Sequence, residues 1–284
     1  MSKHAEDTPP PCRLAFAQLV HLPEAAIGLA EAMLLVAKEE YPDLEVTAYL
    51  ERLDAMGAEV QRLADGSLDP HRLIAALNEH LFQHLGFCGN AENYYDPKNS
   101  FLNEVLDRRT GIPITLSAVY LEVARRIGFP LHGVGMPGHF LVKYVGQDEE
   151  IVIDPFGGGG LLSAADCQRR LDRIYDGKLC FDRGMLGIVG ARQILARMLT
   201  NLKVIYFNSQ EYAKALSIVE RLVILQPSAA AEIRDRGLLS CQLKRYGEAS
   251  ADLDRYLRMA PEAEDNEVIR DHLRALRQRT VALN

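Results

Sequence analysis

Apolar residues recur three and four positions apart through most of the first third of the chain, which is the spacing of a helix with one buried face. Three stretches carry it: "AAIGLAEAMLLVAKEEYP", "VTAYLERLDAMGAEVQRLA" and "DPHRLIAALNEHLFQHLGF", together spanning Leu22 to about Leu85. Pro42 ends the first, and Asp69 with Pro70 opens the third as N-cap and first helical residue. The segment "CGNAENYYDPKNS", Cys88 to Ser100, concentrates Gly, Asn, Asp and Pro and is expected to be a loop. Asn99 or Ser100 is then expected to cap a short helix, "FLNEVLDRR", which Gly111 closes. The next helix, Pro113 to about Ile127, has almost no charge in "PITLSAVYL", so it should be buried on most sides; Gly128 and Pro130 terminate it. The period then changes to two. "LHGVGMP", "HFLVKYV" and "EEIVIDPF" read as strands separated by Pro137-Gly138 and by Gly146 to Asp148, an antiparallel meander against the buried helix. A glycine run, Gly157 to Gly160, leads into "SAADCQRRL", a helix with Ser163 and Asp166 as its capping box.

From about Ala191 onward no strand signal remains, and an internal repeat appears. "YFNSQEYAKALSIVERLVILQP" aligns with "SCQLKRYGEASADLDRYLRMAP", so that Tyr212 matches Tyr246, Ala215 matches Ala249 and Pro227 matches Pro261, each 34 residues on. That period resembles the tetratricopeptide repeat, with Gly237 at its close-packing position and Lys203 there in the first copy. Two copies are few for an independent solenoid. "ILARMLTNLKVIYF" is therefore expected to offer a face for docking on the first domain, and "VIRDHLRALRQRTVAL" to cap the array. The organisation predicted is a disordered tail over 1–12, an α+β domain over 13–190 and an all-α repeat domain over 191–284.

Composition narrows the classes. The chain has 284 residues, 48% hydrophobic and 25% charged, as in globular proteins. Its net charge of -7 argues against general nucleic-acid or anionic-membrane binding, since both need a basic surface. It holds no run of about 18 apolar residues, the length a membrane span needs. "MSKHAEDTPPPC" has no apolar core and is not expected to be a secretory signal. Five cysteines (Cys12, Cys88, Cys167, Cys180, Cys241) without CxxC spacing fit reduced thiols in a cytoplasm, and no metal site or cofactor is expected.

The block "GFCGNAENYYDPKNSFLNEVLDRRTGIPITLSAVYLEVARRIGFPLHGVGMPGHFLVKY" resembles the SirB-type group of bacterial proteins, which carry a transglutaminase-like (papain-like) domain followed by tetratricopeptide repeats. The resemblance extends over roughly residues 20–270. It implies a Cys-His-Asp triad in active relatives, with the cysteine opening the buried helix, the histidine beginning one strand and the aspartate ending the next. Carried over, the histidine falls on His139 in "PGHFLV" and the aspartate on Asp154 in "VIDPF". The cysteine position falls on Pro113. A thiolate nucleophile gains from a helix N-terminus and a neighbouring imidazole, and the aspartate orients that imidazole. Proline at the first helical position supplies only pre-set backbone geometry. The triad is thus expected to be vestigial: Pro113, His139 and Asp154.

Other residues could carry chemistry. Thr115 and Ser117 lie within a turn of Pro113, although helical hydroxyls commonly bond back to preceding carbonyls. Cys88 is the cysteine nearest the central block. Tyr94, Tyr95 and Asn99 in "YYDPKNS", with Thr115, are candidates for a binding surface; the alternative for the loop is a rigid turn with a helix cap. The glycine run lacks a following Lys-Ser/Thr and is expected to be a turn, not a phosphate loop. Two classes of function stay open. One is a non-catalytic protein-binding or regulatory module, its protein or peptide partner reached through the repeats or the vestigial cleft. The other is an amide-bond hydrolase or acyltransferase using Thr115, Ser117 or Cys88 as nucleophile.

Overall fold

The structure, a computed structural model, describes residues 9–282, with side chains placed to residue 278. The chain divides into two compact units, Met1–Met198 and Leu199–Asn284. The expected boundary after residue 190 thus differs from this division, which falls inside one helix, Ala191–Asn208.

The first unit is α+β. Its helices are α1 (Pro11–Val20), α2 (Leu29–Glu40), α3 (Val46–Ala64), α4 (Pro70–Asn78), α5 (Leu102–Arg108), α6 (Pro113–Arg126) and α7 (Ala164–Tyr175), and α8 (Ala191–Asn208) begins in it. α4 runs on into a π-helical turn, Glu79–His84. The strands are β1 (Cys88–Gly89), β2 (Thr110–Gly111), β3 (Leu131–Val134), β4 (Leu141–Val145), β5 (Glu150–Asp154), β6 (Gly160–Leu162) and β7 (Ile188–Val189). The larger sheet has the order β6-β5-β4-β3-β7, antiparallel throughout, so the expected meander is its centre. β1 and β2 form a separate parallel pair, Cys88 opposite Thr110 and Gly89 opposite Gly111.

α6 is the axis of this unit. Ten successive residues from Gly111 to Tyr120 are buried, because α2, α3 and α5 cover one side of the helix and β3 and β4 the other. Helix ends follow local chemistry at several of the expected points. Asp69 accepts a hydrogen bond from the Arg72 amide at 2.9 Å, with Pro70 at the first helical position. Ser163 and Asp166 form a reciprocal capping box on α7. Gly128 follows α6 in the left-handed region, φ +70°.

Three expectations are corrected. α1 starts at Pro11, so Pro11 and Cys12, assigned to a disordered tail, are helical; the rest of that tail up to residue 8 lies outside the described residues. A proline run reads as a breaker, but Pro11 occupies the first helical position, where proline is tolerated. Second, α5 begins after Phe101 without a side-chain cap, and Arg109 rather than Gly111 ends it in the left-handed region, φ 54°. Asn99 and Ser100 do not cap it, because both are fully buried in the preceding turn. Third, the end of the glycine run is not all turn: Gly160 begins β6, pairing with Asp154.

The second unit is all α: the remainder of α8, then α9 (Tyr212–Leu225), α10 (Ala230–Gln242), α11 (Tyr246–Met259) and α12 (Asn266–Ala282). A Cβ on Gly237 of α10 would lie 2.9 Å from the Leu253 side chain of α11, so the repeat's small residue permits that helix contact. Lys203, at the matching place in α8, instead reaches Glu232 at 2.8 Å and Asp235 at 3.0 Å on α10. Among the described residues no helix is long and apolar enough to cross a membrane.

Candidate functional site

Pro113 is the first residue of α6, preceded by Ile112 in extended conformation. The proline ring presets helical φ and forfeits an amide that the first turn leaves unpaired anyway. The nearest hydroxyl is committed to holding this helix start. Thr115 Oγ1 accepts from the Ile112 amide at 3.1 Å and donates to the Asn99 carbonyl at 2.7 Å, and the side chain is fully buried. Thr115 is therefore a cap and a tie to the preceding loop, with its hydroxyl shut off from solvent. Ser117 is also fully buried, its Oγ without a hydrogen-bond partner among the described residues. Cys88 is exposed, with Sγ 3.7 Å from Thr110 Oγ1.

The opposite half of the site is built on β4 and β5. The turn Met136 to His139 closes with the His139 amide donating to the Met136 carbonyl at 3.1 Å, and Gly138 takes the left-handed conformation, φ +69°. His139 Nε2 lies 2.9 Å from Asp154 Oδ1. A carboxylate can only accept, so Nε2 donates to Asp154, and the Nδ1 edge of the ring is turned away from it. Asp154 is fully buried at the end of β5, and its second oxygen pairs with the Arg170 guanidinium of α7. The aspartate is thereby bracketed by imidazole and guanidinium. This is the arrangement that orients a catalytic histidine.

Contacts lead from the start of α6 to His139. Gly111, two residues before Pro113, pairs with Gly89 across the short parallel ladder. A Cβ on Gly89 would fall 2.5 Å from the Phe156 ring, so only glycine lets that ring approach. Phe156 in turn meets the His139 ring edge-on, centroids 5.9 Å apart. Behind Asp154, Asn78 donates to the Gly159 carbonyl at 2.9 Å and accepts from the Tyr120 hydroxyl at 3.0 Å, while the Gly159 amide donates to the Asp154 carbonyl at 2.8 Å. Arg197 of α8 clamps the histidine turn, donating to His139 O at 2.8 Å and to Met136 O at 3.2 Å.

Of the candidate residues, His139 and Asp154 are brought into direct contact. The Tyr94-Tyr95 pair lies T-shaped at 5.3 Å, Tyr94 half-buried and Tyr95 71% exposed. Asn99, expected on a binding surface, is instead 0% exposed, because its amide ties the loop together. It donates to Asn93 O at 2.7 Å and Tyr94 O at 3.3 Å and accepts from Asn90 at 3.2 Å. Sequence reasoning did not single out Arg170, Arg197, Asn78 or Tyr120. Their partners are distant in the chain, and no local pattern marks them. Among the described residues no cluster of three or more His, Cys, Asp or Glu side chains could hold a metal ion.

Comparison with known proteins agrees with this architecture. The transglutaminase-like superfamily matches residues 47–200, and a tetratricopeptide-repeat family matches residues 202–274. The chain belongs to the transglutaminase-like superfamily, with tetratricopeptide repeats following that domain. Among its relatives is a UPF0162 protein of Xylella fastidiosa, 38% identical over 262 residues, which cover 90% of this chain and 92% of that one. A UPF0162 protein of Vibrio cholerae is 28% identical over 259 residues, 90% of this chain and 93% of its own. The mouse F-box only protein 21 is 36% identical over 139 residues, 46% of this chain but 21% of that protein. No solved structure matches.

Proposed function

We propose that this protein is a non-catalytic transglutaminase-like module that binds a protein or peptide partner. One observation carries the reading: the helix start that would present a nucleophile is Pro113, and the adjacent Thr115 hydroxyl is spent on backbone groups. What persists, His139 with Asp154, can offer general-base help of about 10²–10⁴-fold. Enzymes in general reach roughly 10⁶ or more, so this pair alone falls well short. Tetratricopeptide repeats in general mediate protein–protein contacts, and 202–274 match that family. The partner is reached through the repeats or through the surface beside His139.

The test is a turnover assay on the purified full chain, with peptide hydrolysis and amine incorporation as readouts. No turnover above the buffer rate is expected. Turnover that vanishes in Thr115→Ala, Ser117→Ala or Cys88→Ala would replace this reading with that of a hydrolase or acyltransferase.

A further inference from the structure

The β4-β5 hairpin, the start of α7 and the segment that follows α7 enclose a pocket of about 590 Å³ in the first unit, and none of Pro113, His139 and Asp154 lines it. Ligand sites commonly occupy roughly 300–1,000 Å³. The floor is a product of sheet register. Lys143 pairs with Val152 and Val152 with Leu162, so these three share one face of the sheet, as does Val145, two residues further along β4. Val152 and Leu162 line the pocket together with Cys167 of α7, and Phe181 and Leu186 add apolar surface from the following segment. Val152 and Cys167 are buried, whereas Val145 is 39% exposed. The wall is preset, because Gln168 of α7 donates to the Leu179 carbonyl at 3.1 Å and accepts from the Phe181 amide at 2.6 Å. A preformed wall spares a ligand the cost of ordering it.

The rim carries charges of both signs, and most of them are already engaged. Glu149 meets His71 at 3.1 Å, and Glu150 accepts from the buried Lys143 at 3.4 Å. α7 reaches the pocket through Ser163, but its capping box already sets the Asp166 carboxylate at that helix end. Two charges remain. Asp148 and Arg183 line the pocket, are exposed, and have no ion-pair partner among the described residues. An apolar floor beside one free carboxylate and one free guanidinium complements an apolar side chain flanked by a cation and an anion. Burying a leucine-sized side chain outweighs an exposed ion pair in free energy, so the floor supplies affinity and the rim supplies selectivity.

We infer that this pocket is a peptide-binding site, seating a bulky apolar side chain on its floor while a basic and an acidic residue of the same peptide meet Asp148 and Arg183. A chain segment suits it better than a free amino acid, whose amine and carboxylate share one carbon. Here the two charges stand on separate elements, Asp148 on the hairpin and Arg183 beyond α7. The inference goes beyond the binding-module reading, because the site is apart from both the repeats and the surface beside His139. It holds whether or not the domain turns over a substrate.

Two peptides of opposite order test it, Ac-Gly-Lys-Leu-Leu-Glu-Gly amide and Ac-Gly-Glu-Leu-Leu-Lys-Gly amide. Each is titrated into the full chain while the backbone amide signals of 146–150 and 181–186 are followed by NMR. At least one peptide is expected to bind and to shift both groups of signals. For that peptide, replacing both leucines by serine should weaken binding at least about tenfold. Replacing its lysine or its glutamate by glutamine should weaken binding about threefold each. The lysine effect should vanish in Asp148→Asn and the glutamate effect in Arg183→Gln. Both side chains are exposed, so neither variant endangers the fold. Failure of both peptides to bind, or binding that leaves either group of signals unmoved, would overturn the inference. So would a serine peptide that binds as well as its parent, indifference to charge, or a charge preference that survives its own variant.

Discussion

The start of α6 and the turn bearing His139 would be the two halves of one catalytic site in a cysteine hydrolase, and in this protein they have been treated oppositely. At the start of α6 the first residues serve structure: Pro113 is buried, and Thr115 caps the helix and holds the Asn99 carbonyl. At the turn, a histidine, a fully buried aspartate and two arginines are kept in a hydrogen-bonded network that apolar residues could replace at less desolvation cost.

The comparison breaks first at Asp154. Asp154→Ala leaves the Arg170 guanidinium and the His139 ring without their shared acceptor in a buried site. A loss of about 3 kcal/mol is expected, the low end for breaking a buried pair because Arg170 is 26% exposed. Urea unfolding of the full chain measures it. A loss under about 1 kcal/mol would mean the turn does not depend on this network.

Gly159→Ala tests the support behind it. Gly159 has φ +79°, and a Cβ there would lie 1.9 Å from Asn78 Oδ1, so the substitution strains the backbone and displaces Asn78 together. About 2 kcal/mol should be lost. The same variant should shift the His139 ring resonances, because the Gly159 amide holds the Asp154 carbonyl. Unchanged His139 signals would sever Asn78 and Tyr120 from the site.

On the other side of the comparison, Thr115→Val keeps the shape and removes the hydroxyl. The Ile112 amide and the Asn99 carbonyl would both lose their partner in the interior. A cost of about 1–3 kcal/mol follows, read as a lower unfolding midpoint at an unchanged denaturant slope. A neutral effect would imply that Thr115 is not structural, and would restore it as a candidate for chemistry.

How far the two halves could be read from the sequence also differs. His139 and Asp154 were legible through the family resemblance, which puts a histidine just after Pro137-Gly138 and an aspartate at the end of "VIDPF", next to stretches whose period-two pattern is clear. Arg170 and Arg197 were not, since the first lies 16 residues beyond Asp154 and the second 58 beyond His139, on helices whose surface looks ordinary. The misplaced cap has a similar cause. Asn99 carries the right side chain for an N-cap, and local propensity favours that use, but tertiary contact with Thr115 buries it and turns its amide into the loop. The β1-β2 pair is two residues long on each side and has no periodicity to read.

The smallest change in stability gives the sharpest comparison, since Pro113→Cys tests whether the two halves still face each other. The substitution restores an amide that the first helical turn leaves free, and removing proline's rigidity should cost only about 0.4–1 kcal/mol. Two effects then compete at the new thiol. Burial disfavours a thiolate, as it does at Cys167, whose thiol is pushed up chiefly by desolvation. A helix N-terminus and the Nδ1 edge of His139 favour it, and together they bring active-site thiols from about 8.5 to about 6–7 or below. If His139 faces the start of α6, the second effect wins. The thiolate fraction at pH 7 then rises from roughly 3% to about half. Alkylation by iodoacetamide, followed by peptide mass mapping, should be fastest at the introduced cysteine, ahead of the exposed Cys88 and Cys180. Adding His139→Ala should slow it, because the imidazole that stabilises the thiolate is gone while the helix remains. Fast alkylation indifferent to His139 would credit the helix alone. Slow alkylation would show that Pro113 begins a buried helix and nothing more, and that the His139 network serves its end of the domain by itself.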